Sequence, residues 1–157
     1  MSFKNYSNIQ YVREIDTNET VAMGSFSLAK NILLGKIGTL LYIQDVTALS
    51  GNETVKIGIY PDSLYQTKIF ESNAHKLSDI TNLGTTNWIG YIYLDFNKYP
   101  LNKNITYYAA ITLNNYTNNN NDKYVAVSYD ATNTIYGDIG NPFNQYPLTL
   151  ALIGNVI

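Results

Sequence analysis

The chain has no cysteine, a single histidine and a single tryptophan in 157 residues. Without cysteine, neither a disulfide framework nor a thiolate metal site can form, so stability must come from packing and strand pairing. With His75 alone, no chemistry that needs two imidazoles is available. Charged residues are also few, at 14%, and Lys plus Arg total 10 against 12 Asp plus Glu, a net charge of −2. That balance argues against nucleic acid as a partner, because polyanion binding rests on clustered cations. Long apolar runs are missing too. None approaches the roughly 20 residues of a membrane span. The opening MSFKNYSNIQYVREID is polar and lacks the apolar core of a signal peptide, so neither membrane insertion nor standard secretion is expected.

The length suits one domain able to bury its own core. The chain is rich in Tyr, present 15 times, and in Asn, Thr and Ile, a profile of twisted sheets with uncharged polar surfaces and turn-forming loops. Part of it reads as AT-rich codon usage. Asn5, Asn18, Asn52, Asn104 and Asn115 each open an Asn-x-Ser/Thr triplet, but such triplets arise by chance in this composition, and no export signal gives them meaning. The run 118–121 followed by Asp122 reads as a solvated loop tip where Asn tolerates left-handed backbone. A Ca²⁺ loop is the rival reading, and one carboxylate is poor ligation for it.

Strand signals recur along the chain. The sequence WIGYIYLDF, from Trp88, puts Trp88, Gly90, Ile92, Leu94 and Phe96 on one face and Ile89, Tyr91, Tyr93 and Asp95 on the other, the period-two sorting of a strand. A loop NKYPLNKN and a second strand ITYYAAITL follow. Earlier segments 20–29 and 37–46 read as strands, and 54–60 alternates Val55, Ile57 and Ile59 against Lys56 and Gly58 before a Pro61-Asp62-Ser63 break. A short strand is expected near 67–70, one helical turn around 74–80, and further strands at 123–129 and 148–153. Segments 37–63 and 105–132 echo one another as strand, polar loop, alternating strand and turn. The expectation is an all-β, antiparallel two-sheet β-sandwich, jelly-roll-like, of about eight or nine strands, with 1–19 an extended amino-terminal arm and 20–157 a single domain.

Chemistry is harder to find. His75 sits in a polar segment without a partner motif, and an exposed loop histidine is the plain reading. There is no phosphate-binding loop, dinucleotide fingerprint, zinc-protease motif or nucleophile elbow. A glycosidase needs two carboxylates across a sugar, and among Asp45, Glu53, Asp62, Asp79 and Asp95 no pair stands out. The expectation is therefore no enzyme and no cofactor. Tyr91 and Tyr93, sharing a strand face, with Tyr108 on the less apolar face of the next strand, could form a platform for a partner or a glycan, since Tyr joins apolar area to a hydroxyl. The structural alternative is ordinary aromatic enrichment in strands. Trp88 reads as a core anchor, and Tyr107 and Tyr124 as edge or core residues.

The pattern 93–96, the Pro100-Leu101 turn, residues 106–113, and the earlier strand and turn VKIGIYPDS together resemble the carbohydrate-binding-module-like jelly rolls common in virion proteins of tailed bacteriophages. The likeness spans roughly residues 26–129. It implies a small structural protein made in the host bacterial cytoplasm and built into the virion as a capsid decoration, head fibre or tail accessory. The implied partner is the major capsid protein or another virion protein, with the chain a homo-oligomer, a trimer favoured, since a lone domain of this kind acts by being multiplied. The arm 1–19 is the segment expected to reach a neighbour. The family's ligand residues vary, so no sugar-binding residue carries over, and glycan recognition stands as the alternative.

Overall fold

The computed structural model describes residues 5–6, 10–117, 123–130 and 150–157. Among these residues eleven strand segments form: β1 (Asn5–Tyr6), β2 (Gln10–Glu14), β3 (Thr20–Ser27), β4 (Ile32–Ile43), β5 (Thr54–Tyr60), β6 (Phe70–Glu71), β7 (His75–Lys76), β8 (Trp88–Leu101), β9 (Thr106–Asn114), β10 (Val125–Asp130) and β11 (Leu150–Val156). They build two antiparallel sheets. Sheet A runs β8-β4-β10-β2-β1, with β11 lying on the same edge of β4 as β10; sheet B runs β3-β9-β5-β6, with β7 beside β6 on the edge of β5. Because β6 and β7 share one edge, and β10 and β11 another, the segments collapse to eight ladder positions plus the short β1. Numbered in chain order, those positions read 1-8-3-6 in sheet A and 2-7-4-5 in sheet B. That order is compatible with a jelly roll.

The core is what alternation demands. In β5, Val55, Ile57 and Ile59 are buried; in β9, Tyr107, Ala109, Ile111 and Leu113; in β4, Leu34, Ile37, Leu41 and Ile43; in β8, Trp88, Ile92, Leu94, Phe96 and Leu101. These inner faces interdigitate into one hydrophobic cluster, as two packed sheets require. Trp88 is a core residue whose ring covers Gly90, where a Cβ would approach Cζ2 to 2.6 Å, and whose indole N–H donates to Asn82 at 3.2 Å. Phe70 on β6 stacks on Tyr99, with centroids 3.4 Å apart, and meets Phe96 edge-on, closing one end of the sandwich.

Several boundaries depart from the pattern in the sequence. Strand β4 starts at Ile32 instead of 37, and β8 continues through Leu101, so Pro100-Leu101 is not a turn; only residues 102–105 connect it to β9. Proline is tolerated there because β8 is an edge strand, where a missing N–H breaks no ladder. The helical turn expected around 74–80 is β7 followed by a single 3-10 turn at Leu77–Asp79. The segment read as an arm, 1–19, supplies β2, which pairs with β10, and Ile15, which is fully buried. The Asn-rich run 118–122, with its Ca²⁺ alternative, and most of the connection before the last strand lie outside the described residues.

Asparagine finds a backbone use. Among the described residues, six non-glycine residues have positive φ, and four of them are Asn: Asn18, Asn97, Asn104 and Asn115. Asn enters the left-handed region more cheaply than other side-chain-bearing residues, so these turns draw on the chain's Asn content.

Candidate functional site

Four of the five carboxylates considered for catalysis are tied to local backbone. Asp45 caps the 3-10 turn at Val46–Ala48, accepting from the Thr47 N–H at 2.9 Å and its hydroxyl at 2.6 Å; the Thr47 hydroxyl in particular holds its carboxyl below the usual range. Asp62 accepts from the Leu64 N–H, and Asp95 from the Asn97 N–H. Glu53 is buried and accepts from the Ser50 N–H and hydroxyl and from the Gly51 N–H. Burial pushes its carboxyl up, but these hydrogen bonds outweigh it and leave the group below its ordinary value. Each of these contacts closes a tight loop, the standard role of Asx-type turns. His75 is half-buried, with Nδ1 2.9 Å from the Lys76 carbonyl. Among the described residues, no three His, Asp or Glu side chains gather to hold a metal.

The Tyr platform divides. Tyr91 and Tyr93 lie together on the outer face of β8, rings stacked at 6.3 Å and 25°. Tyr108 is on β9, in the other sheet, half-buried and edge-on to Tyr65, which in turn meets Tyr60. Although consecutive in the chain, β8 and β9 are not neighbours: β8 pairs with β4, and β9 with β3 and β5. The three tyrosines therefore cannot form one surface. Tyr124 is buried against Tyr42 in a small cluster with Ala126, apart from the main core.

What sequence reading missed is the contrast between the two outer faces. On sheet A, register places Ile89 opposite Tyr42, Tyr91 opposite Leu40 and Tyr93 opposite Gly38. The Tyr93 ring lies over Gly38, where a Cβ would come within 2.6 Å of it. Ile89, Tyr91, Tyr93 and Ile153 are 38, 43, 44 and 48% exposed, and no charged residue occurs from 88 to 94. On sheet B, the corresponding rows are Thr20–Thr112–Lys56, Ala22–Ala110–Gly58–Glu71 and Ser25–Tyr108–Tyr60, the last covered by Tyr65. There Gly58 seats the stem of Lys68, whose ammonium reaches Glu71 at 2.6 Å while Lys56 reaches the same carboxylate at 3.3 Å. The Lys68 hydrogen bond foremost, and Lys56 with it, hold Glu71 below the ordinary carboxylate range.

Beside the tyrosine pair, where β8 forms the edge of sheet A, a cleft of about 260 Å³ is lined by His75, Asp79, Thr81, Asn82, Trp88, Tyr91 and Tyr93. It joins aromatic faces to hydrogen-bonding groups, a pairing suited to a sugar or an extended peptide. Comparison with protein-family models, curated proteins and solved structures gives no match.

Proposed function

We propose that the chain is a non-enzymatic structural protein that works in many copies, a virion accessory of the capsid-decoration kind, and that it docks through the outer face of sheet A. The observation that carries this reading is the uncharged strip Ile89, Tyr91 and Tyr93, exposed on the outer face of sheet A, whereas on sheet B the rows around Lys56 and Glu71 are charged and the outer-face tyrosines, Tyr60 and Tyr108, are buried or half-buried in contact with Tyr65. Contiguous apolar and aromatic surface of this kind marks protein contacts, where Tyr is enriched and Lys and Glu are depleted. The phage assignment rests on the sequence resemblance, and the jelly-roll-compatible strand order agrees with it. The test is co-sedimentation with the particles produced by the genome that encodes the chain, together with light scattering of the purified protein. Particle-bound protein and a trimer in solution support the reading. Monomers absent from particles overturn it.

A second reading is favoured by one specific observation, the stacked Tyr91–Tyr93 rings at the mouth of the cleft containing His75, Asp79 and Asn82. A glycan-binding module would use these rings as a stacking floor. Glycan-array binding that is lost in Tyr91→Ala and Tyr93→Ala supports this reading, and an array without signal removes it.

A further inference from the structure

Near one end of sheet A, three neighbouring strands break register at the same level. On β4 the break falls at Gly35: β8 shifts between the pairs Leu34↔Tyr99 and Lys36↔Asp95, and β11 shifts between Ile153 and Gly154. Gly35 therefore faces three residues of β8, Phe96, Asn97 and Lys98. Asn97 and Lys98 take up the excess in left-handed backbone, with φ of 53° and 59°. Lys is not a residue that enters this region cheaply, and a side chain held there costs on the order of 1 kcal/mol or more. Gly154 is packed so closely that a Cβ would lie 2.4 Å from the Leu33 carbonyl oxygen.

The consequence is an opening in the outer face. Above the break, Ile153, Lys36 and Asp95 form one outward row; below it, Asn155, Leu33 and Pro100 form the next. The rows are two residues apart on β11, three on β4 and five on β8, the excess on β8 being taken up by the left-handed pair Asn97 and Lys98. Between them lies a cleft of about 460 Å³ lined by Leu33, Gly35, Lys36, Asp95, Asn97, Lys98, Ile153, Gly154 and Asn155. This volume is within the range of about 300–1,000 Å³ that small-molecule sites occupy. Bulges that re-aim side chains are frequent beside binding sites.

The lining specifies a ligand chemistry. Two lysines, Lys36 and Lys98, line the cleft with one acidic residue, Asp95, whose carboxylate already accepts the Asn97 N–H at 2.8 Å. Among the described residues neither lysine has an ion-pair partner. The cleft therefore carries excess positive charge for an anion, the Asn155 amide can pair with hydroxyls, as can the oxygen of the Asn97 amide, whose Nδ2 donates to Asn73 Oδ1 at 3.3 Å, and Leu33 and Ile153 give an apolar wall for C–H faces. We infer that this cleft is a binding site for a small sugar acid, a hydroxylated ring bearing a carboxylate. The site is separate from the tyrosine cleft and does not depend on the docking face.

Amide-resolved NMR titration of the full chain with glucuronate, glucose and acetate tests it. The expected result is saturable, millimolar binding of glucuronate, with shifts centred on residues 33–36, 95–98 and 153–155. Glucose and acetate should each bind at least about tenfold more weakly, a difference of roughly 1.4 kcal/mol. The exposed pair Lys36→Gln with Lys98→Gln should keep the spectrum of a folded protein and lose glucuronate binding by about the same factor, while Tyr91→Ala should leave it unchanged. Absence of saturable shifts at these residues, equal binding of acetate, or unaltered binding in the double lysine variant overturns the assignment.

Discussion

The two outer faces of this sandwich use the same device for opposite ends. Each has a glycine in a strand over which a long side chain lies: Gly38 under the Tyr93 ring on sheet A, Gly58 under the Lys68 stem on sheet B. On sheet B the seated side chain carries charge to Glu71, and the face is finished with Thr, Asn and Lys, its tyrosines Tyr60 and Tyr108 being packed on Tyr65. On sheet A the seated side chain is aromatic and is flanked by Ile89 and Tyr91. A face finished with ions and hydroxyls is complete in water, whereas one finished with rings gains from being covered. The difference does not come from the fold, since both sheets bury their inner faces in the same core.

The largest effect expected from disturbing this contrast is at the register break of sheet A. Gly154→Val forces a side chain against the Leu33 carbonyl and should destabilise the protein by about 3 kcal/mol, at the upper end of overpacking costs. Gly58→Ala on sheet B must displace the flexible stem of Lys68 and ease the Tyr60 ring by a few tenths of an ångström, with no backbone in the way, and should cost about 1 kcal/mol. Chemical denaturation of both variants measures the gap, and equal losses would show that the sheet A break is not a tightly packed feature.

A change at neither face provides the reference. Glu53→Gln leaves the Ser50 and Gly51 donors with one acceptor oxygen in place of two and should cost on the order of 2 kcal/mol at neutral pH. Because the folded carboxyl sits below its unfolded value, its stabilisation is complete above the ordinary carboxylate range. That stabilisation is lost as pH falls through the folded value. The difference between wild type and variant should therefore close in acid, which denaturation at several pH values reads directly.

Much of this was legible from local pattern. The β5 bounds follow from Val55, Ile57 and Ile59 alternating with Lys56 and Gly58 between turn signals, and the inner and outer residues of β8 from the same rule. Pairing was not legible, because it is set by contacts distant in sequence. Nothing local says that β8 and β9 part into different sheets, so Tyr108 could be grouped with Tyr91 and Tyr93 on chain proximity alone. Nor does a polar run such as that before Ile15 reveal a strand that gains its place by pairing with β10. The sugar-acid cleft was invisible for the same reason: it exists only because Gly35, Asn97–Lys98 and Gly154 come from three strands to one level.

Smaller effects sharpen the account. On the inner side of sheet A, the Thr39 hydroxyl is fully buried and has no hydrogen-bond partner among the described residues. Thr39→Val should raise stability by up to about 1 kcal/mol, since a stranded hydroxyl costs more than a methyl in its place. On sheet B, Glu71→Gln should cost under about 1 kcal/mol and less in high salt, because its pairs with Lys56 and Lys68 are solvent-exposed. A loss in thermal denaturation well above that figure would mean that the charged face contributes more to folding than exposed ion pairs do.

The decisive measurement compares one charge placed on each face. Tyr93→Asp puts a carboxylate into the aromatic strip, and Thr112→Asp puts one between Thr20 and Lys56 on the outer face of sheet B, both at positions where the side chain points away from the core. Folding should survive in each. Light scattering and particle co-sedimentation should show Thr112→Asp assembling and binding as wild type does and Tyr93→Asp remaining a free monomer. Equal behaviour of the two variants, or a wild type that neither associates nor binds particles, would contradict the assignment of sheet A as the docking face.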